Sequence, residues 1–316
     1  MEAIKKADRV LPALKGEQKF TLEDFLAGQL SEKTKSAYRR DLLQFFEFTK
    51  GRSLEQITYR DGIAFRNWLL EKGYTKSTIN RKLSALRSLF DFAVSVGAIS
   101  SNPFSSKLVR SFKRPTQIYP DILKRHEARK LIEACNDGTF AGLRDKVVIL
   151  LGLVELLRVS EVVTLKVGSI TEKFGIKVLE LKNTKSGLTQ YVKLRDDVEE
   201  AVEHYLNVLK EAMGKEPEAN DPLVRSLSNQ NFMGPISDRA ANNILRRRLR
   251  LAGIKTKGRR ISFHSLRHTG ITLAIENGAD LTATYLTARH SDPKTTMRYY
   301  HGRKELTNSA VDFVRF

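Results

Sequence analysis

Between residues 105 and 120 the chain loses any apolar period. The stretch is polar and basic, and Pro115 and Pro120 have no backbone N–H to give, so neither a core helix nor a central strand can run through it. It reads as a linker, and the chain on either side must bury a core of its own. A length of 316 residues allows one large core or two ordinary ones. The organisation expected is therefore an N-terminal extension over 1–19, a helical domain over 20–104, the linker over 105–120 and a second domain over 121–316.

Ahead of the linker, apolar residues recur at helical spacing. Tyr38, Leu42, Phe45 and Phe46 predict a helix over 34–50, stopped by Gly51. A second runs over 59–71 and ends at Gly73. The third begins at a Ser77 cap, and Ile79, Leu83, Leu86, Phe90 and Ala93 form one stripe. Arg39, Arg40, Arg81, Lys82 and Arg87 lie off these stripes, which makes either a solvated basic face or a face turned to a polyanion.

After the linker, helices are predicted over 126–136, 143–157 and 159–165. Then the period changes. Ile176, Val178, Leu179 and Leu181 suggest a strand, Asn-Thr-Lys-Ser-Gly over 183–187 is turn chemistry, and Tyr191, Val192 and Leu194 suggest the return strand. Helices resume over 198–213, 237–252, 264–277, 281–288 and at the C-terminus. The fold class is mainly α, with a small antiparallel β-sheet in the second domain.

Charge narrows the partner. The chain carries 55 Lys and Arg against 36 Asp and Glu, a formal +19, which favours a polyanion such as nucleic acid. The single cysteine, Cys135, excludes an internal disulfide framework and a multi-cysteine metal site and fits a reducing cytosol. No apolar run approaches membrane-spanning length, and residues 1–15 lack the apolar core of a signal peptide. A cytoplasmic, nucleoid-associated location is expected, with no membrane partner.

The chemistry-bearing residues fall in order along the second domain. They are Leu157-Arg158-Val159-Ser160-Glu161, then Thr184-Lys185-Ser186-Gly187, then His264-Ser265-Leu266-Arg267-His268, then Arg289-His290, and finally Thr295-Thr296-Met297-Arg298-Tyr299-Tyr300-His301. Guanidinium forks, imidazoles and a phenol at fixed spacing can hold a phosphate diester, move protons around it and attack it. This set resembles the tyrosine recombinases of the integrase and Xer kind. The resemblance spans roughly residues 20–316, the N-terminal helices resembling the family's core-binding domain. It implies a two-domain DNA-breaking and rejoining fold that clamps a duplex.

The resemblance also implies roles. Arg158 and Arg267 would hold the non-bridging oxygens of the phosphate. Glu161, one turn beyond Arg158, either orients the arginines or makes an ordinary i,i+3 pair. Lys185 at the hairpin tip would protonate the leaving 5′ oxygen, with Lys182 as the competing candidate. His264 would bond the phosphate and help take the tyrosine proton, and His290 would donate to a non-bridging oxygen. The family usually has glycine just before that histidine, and Arg289 stands there instead. Tyr299 is the expected nucleophile, favoured over Tyr300 by its spacing from His290 and by the Tyr-x-His ending. His301 would brace the tyrosine helix, and His268 is expected to be structural.

Further contacts with DNA are expected from Lys107, Arg110, Lys113 and Arg114 in the linker. The helix over 237–252 carries Arg239, Arg246, Arg247, Arg248 and Arg250 and by resemblance lies along the major groove. No cofactor and no metal are implied. The implied partner is a double-stranded recombination site, bound by a homotetramer on two duplexes. Its apolar tail, with Val311, Phe313, Val314 and Phe316, would dock in trans or else pack in cis. Two rivals use the same scaffold or chemistry: a catalytically silent DNA-binding accessory protein, and a type IB topoisomerase. Residues 1–19 are too short for an arm-binding domain, which favours an Xer-like or mobile-element recombinase.

Overall fold

The apolar stripes at the N-terminus fold as helices, and their caps fix where each begins. A computed structural model of the chain describes residues 20–28, 32–113, 121–182 and 188–290. Arg114, Lys185, Tyr299, Tyr300, His301 and the apolar tail lie outside them. The chain divides into two compact units, residues 1–116 and 117–316.

In the first unit, α1 (Leu22–Ala27) opens with a Thr21–Asp24 capping box. It is followed by α2 (Glu32–Phe48), α3 (Tyr59–Glu71) and α4 (Lys76–Ser95). The cap of α4 is Thr75, whose hydroxyl accepts from the Thr78 N–H at 3.3 Å, and not Ser77. Phe45, Phe65, Phe90 and Phe104 are fully buried, and their ring pairs lie 5.0–5.2 Å apart.

The stretch expected to be linker begins later than its composition suggests. Phe104 and Val109 sit in the first core, in a space that Gly62 leaves open, since a Cβ there would lie 2.8 Å from Val109 and 2.9 Å from Phe104. Arg87 donates to the carbonyls of Phe104 and Val109 at 2.8 and 2.6 Å and to the Ser111 hydroxyl at 3.0 Å. Asn80 exchanges two 2.9 Å hydrogen bonds with the backbone of Phe112. The segment up to residue 113 therefore belongs to the first unit despite its lack of period: a few anchors and backbone hydrogen bonds hold it, and no amphipathic face does.

The second unit runs α5 (Arg125–Glu133), α6 (Phe140–Leu153), α7 (Val159–Val162), β1 (Ile170–Lys173), β2 (Ile176–Leu181), β3 (Gln190–Lys193), α8 (Asp196–Met213), α9 (Asp238–Leu251), α10 (Phe263–Glu276) and α11 (Leu281–Ala288). The sheet is antiparallel in the order β1-β2-β3, with Thr171 opposite Val178 and Val178 opposite Lys193. Sequence reasoning missed α1 and β1. The four residues of β1 carry little apolar signal, and a two-residue turn, Phe174-Gly175, joins it to β2 with φ of 57° and 74°.

α6 is apolar almost all round and forms the centre of the second core. Gly270 on α10 meets its end backbone to backbone, since a Cβ at 270 would lie 1.9 Å from the Leu153 carbonyl oxygen. Gly152 likewise leaves room for the Phe263 ring, which a Cβ there would meet at 2.7 Å. This close approach brings the middle of α10, with Arg267, against the turn that follows α6. Among the described residues no helix is long and apolar enough to cross a membrane.

Candidate active site

The turn after α6 holds a strained residue. Leu156 has φ 54°, a left-handed conformation that costs an L residue about 1–2 kcal/mol. The conformation turns its carbonyl towards Arg267 Nη1 and Arg289 Nη2, and both donate to it, the second at 3.2 Å. Two residues on, Arg158 caps α7. Its backbone N–H donates to Glu161 Oε2 at 2.7 Å, its Nη1 to Glu161 Oε1 at 2.8 Å, and its Nη2 to the Arg289 carbonyl at 3.0 Å. Glu161 thus makes an i,i+3 pair with Arg158.

Arg267 is 1 % exposed, and its second nitrogen donates to the Ala288 carbonyl. Arg289 follows α11 at φ 51°, and its guanidinium reaches Glu161 Oε2 and the Thr287 carbonyl, both at 2.8 Å. Three guanidinium groups therefore lie together with one carboxylate among them, and only Arg158 and Arg289 bond it. Arg158, whose side chain is 34 % exposed, forms the open side, and Arg267 and Arg289 form the back wall.

The electrostatics follow from that imbalance. Burial, and then Arg158 and Arg289, push Arg267 down to about 9. Burial raises Glu161, but Arg289 and Arg158 outweigh it and hold the carboxyl below its ordinary value. Burial and then Arg267 and Arg158 lower His264 and take His290 down to about 4. His268 packs edge-on against His264, ring centres 4.1 Å apart, and burial and then His264 push it down to about 3. At neutral pH all three imidazoles are neutral. A neutral imidazole offers one N–H and one lone pair, which suits a group that must donate to a phosphate or accept a phenolic proton. The cluster as a whole suits a bound anion, because a phosphate supplies the negative charge that the protein withholds.

Residues 121–305 match the phage integrase family, and residues 18–97 match the phage integrase N-terminal SAM-like domain. The chain belongs to the phage integrase family. It is a tyrosine recombinase, and tyrosine recombinase XerC of Thermodesulfovibrio yellowstonii is 31% identical to it over 273 residues, 86% of each chain. In fold it is similar to the XerH site-specific recombinase bound to a palindromic difH substrate, with a TM-score of 0.69, 20% identity, and 89% of this chain and 80% of that one covered. It is likewise similar to a lambda integrase tetramer bound to a Holliday junction, at a TM-score of 0.66 and 19% identity over 88% of this chain and 74% of that one.

The structure gathers Arg158, Glu161, His264, Arg267 and His290 of the expected integrase site. Lys185, Tyr299 and His301 lie outside the described residues. Lys182 falls just beyond β2, exposed, with Glu180 at 3.0 Å.

Several cations expected to face DNA are placed otherwise. Lys82 is buried 2.8 Å from Asp41, which also takes Arg81. Arg87 clips the segment after Phe104, as above. Arg39 pairs with Glu23 at 2.5 Å, while Arg40 and Lys113 are exposed. Arg248 is 1 % exposed, bound to Asp145 and Asp137 at 2.7 and 2.6 Å, and Arg247 also pairs with Asp145. Burial and ion pairing correct the expectation for Lys82 and Arg248: neither can reach a phosphate. On α9 the residues that remain open are Arg239, Arg246 and Arg250, spaced along one face.

Sequence reasoning missed Leu156 and the part played by Arg289. Its one usable signal was the arginine at a position where the family has glycine.

Proposed function

We propose that this chain exchanges DNA strands at a specific site through a 3′-phosphotyrosine intermediate and a Holliday junction. The observation that carries the reading is a cluster of three guanidinium groups with a single carboxylate, Glu161, which pairs with Arg158 and Arg289 and leaves Arg267 without a carboxylate partner among the described residues, edged by neutral imidazoles. Tyr299 attacks the scissile phosphate and frees a 5′-hydroxyl. Arg158 and Arg267 stabilise the charge that grows on the non-bridging oxygens, His264 accepts the phenolic proton, His290 donates to an oxygen, and Lys185 protonates the leaving group. The 5′-hydroxyl of a partner duplex then attacks the phosphotyrosine. The bond energy is kept in that link, so no nucleotide triphosphate enters.

In this reading residues 20–104, with the anchored segment that follows, form the core-binding domain, and residues 121–316 the catalytic domain. His301 braces the tyrosine helix. Arg239, Arg246 and Arg250 contact phosphates along the duplex, with Arg40, Lys113 and Arg114 as further backbone contacts. Four protomers hold two duplexes, and the tail with Phe313 and Phe316 docks on a neighbour, in the cytoplasm at the nucleoid. Deleting residues 307–316 leaves single-site binding intact and removes cooperative binding of two sites in gel-shift titration; unchanged cooperativity means the tail packs in cis.

The test of the chemistry uses a nicked duplex carrying the sequence recovered by crosslinking to the protein. Wild type and Tyr300→Phe form covalent adducts, and Tyr299→Phe forms none while still binding. A dead Tyr300→Phe variant would move the nucleophile by one residue.

A further inference from the structure

Arg289 stands in the densest part of the site, and nothing in the reaction as described uses it. Its backbone is left-handed, at φ 51°, a conformation that glycine adopts freely and arginine does not. Its side chain is only 5 % exposed, so the guanidinium does not face solvent. Of the three acceptors its guanidinium reaches, two are shared with one of the two phosphate-binding arginines. Glu161 Oε2, 2.8 Å from Arg289 Nη2, also takes the Arg158 N–H. The Leu156 carbonyl, 3.2 Å from the same nitrogen, also takes Arg267 Nη1. The Arg289 carbonyl in turn takes Arg158 Nη2 at 3.0 Å.

We infer that Arg289 is a positioning residue, which sets Arg158 and Arg267 at the spacing a phosphate requires through the Glu161 carboxylate and the Leu156 carbonyl. The inference rests on the reading of this site as the phosphate-binding centre.

Its physical basis is the planarity of the guanidinium fork. One Nη2 spans two acceptors on different segments, the carboxylate on α7 and the strained carbonyl before it, while Nη1 pins the chain at the Thr287 carbonyl, 2.8 Å away. The segments that carry Arg158, Arg267 and His290 are thereby tied at one point. Its charge adds to the pull on Glu161 and to the repulsion felt by Arg267, which keeps both arginines short of negative charge until a phosphate arrives. A glycine at the same place would satisfy the backbone and leave the two arginines free to settle separately.

The test separates positioning from general support of the fold. The full-length protein is given the nicked duplex with either an ordinary phosphate or a methylphosphonate at the cleaved position. The methylphosphonate lacks the charged oxygen that the arginines grip. Arg289→Gly relieves the backbone strain and removes the fork. Adduct formation is expected to fall about 30-fold on the phosphate and less than about threefold on the methylphosphonate, with Tm held, because two changes that act on one interaction are not additive. Arg289→Lys keeps the charge without the fork and is expected to fall between wild type and Arg289→Gly on the phosphate. It carries the same comparison if Arg289→Gly fails to fold. Equal losses on both substrates would show that Arg289 only supports the fold, and no loss on either would show that it is idle; each overturns the inference alone. A wild-type protein that forms no adduct overturns the reading of the site and this inference with it.

Discussion

Two clusters of three arginines lie in the second unit, and they are built on opposite rules. In one, Arg144, Arg247 and Arg248 close on Asp145, and Arg248 also reaches Asp137. Every guanidinium there touches a carboxylate. In the other, Arg158 and Arg289 share Glu161, while Arg267 donates to two backbone carbonyls and, among the described residues, to no carboxylate. Burial works to lower Arg248, yet Asp137 and Asp145 outweigh it and the net shift is upward. Arg267 goes the other way, to about 9. The first cluster is finished without a ligand and holds α6 to α9. The second is short of negative charge, and three neutral imidazoles stand in or beside it. The lesson is that a buried arginine is read by what answers its charge, and burial alone does not separate scaffold from site.

If that division is right, rate and stability come apart by region. The widest gap is expected at Lys185. Lys185→Ala slows adduct formation by roughly 10²–10⁴-fold, the range of a lost general acid, and leaves Tm unchanged. A 5′-bridging phosphorothiolate, with its better leaving group, restores most of the rate; no rescue would assign Lys185 to positioning DNA.

The next gap has the opposite sign. Asp145→Asn leaves three guanidinium groups on a neutral amide and is expected to cost about 3–5 kcal/mol in urea unfolding, while adduct formation per folded molecule stays as in wild type. A fall in that corrected rate would merge the two clusters into one functional unit.

Sequence period and motif spacing reached most of the fold and the order of the site. α3 and α11 were bounded correctly at both ends, because caps and stops there are explicit in the residues. β1 was not legible, since four polar-leaning residues gain their strand only by pairing with β2. The anchoring of residues 104–113 was not legible either, because Arg87 and Asn80 make it with hydrogen bonds that leave no period. The arginines of α9 show the same limit. Arg246, Arg247, Arg248 and Arg250 look alike in the sequence, and only the distant Asp145 and Asp137 pull Arg248 inside. Of the expected site residues, Arg158, His264, Arg267 and His290 lie together in the fold, and what singled them out was the family resemblance carried by their motifs. Leu156 was not singled out, because a left-handed leucine carries no signature until its carbonyl is seen to be held.

A smaller effect sharpens the contrast through pH. His290 titrates at about 4 and His268 at about 3 in the folded chain, both below the ordinary value of 6.5, and His264 is lowered as well. The unfolded chain therefore binds more protons below pH 6.5. Stability contributed by these neutral rings is complete above that value and is lost as the pH falls towards the folded values. Urea unfolding at pH 5 is expected to show a loss on the order of 1–3 kcal/mol relative to pH 7. Replacing the three rings with asparagine or glutamine should flatten this part of the profile, and a flat wild-type profile would contradict neutral imidazoles beside the arginines.

The account depends on Arg267 serving a bound phosphate and Arg248 serving the fold. The direct measurement is the rate of phosphotyrosine formation on the nicked duplex by Arg267→Gln and by Arg248→Gln, each corrected for its folded fraction. The account predicts a loss of about 10²–10³-fold for Arg267→Gln, the size of a lost transition-state donor, and no change for Arg248→Gln. Equal rates for the two variants would contradict it.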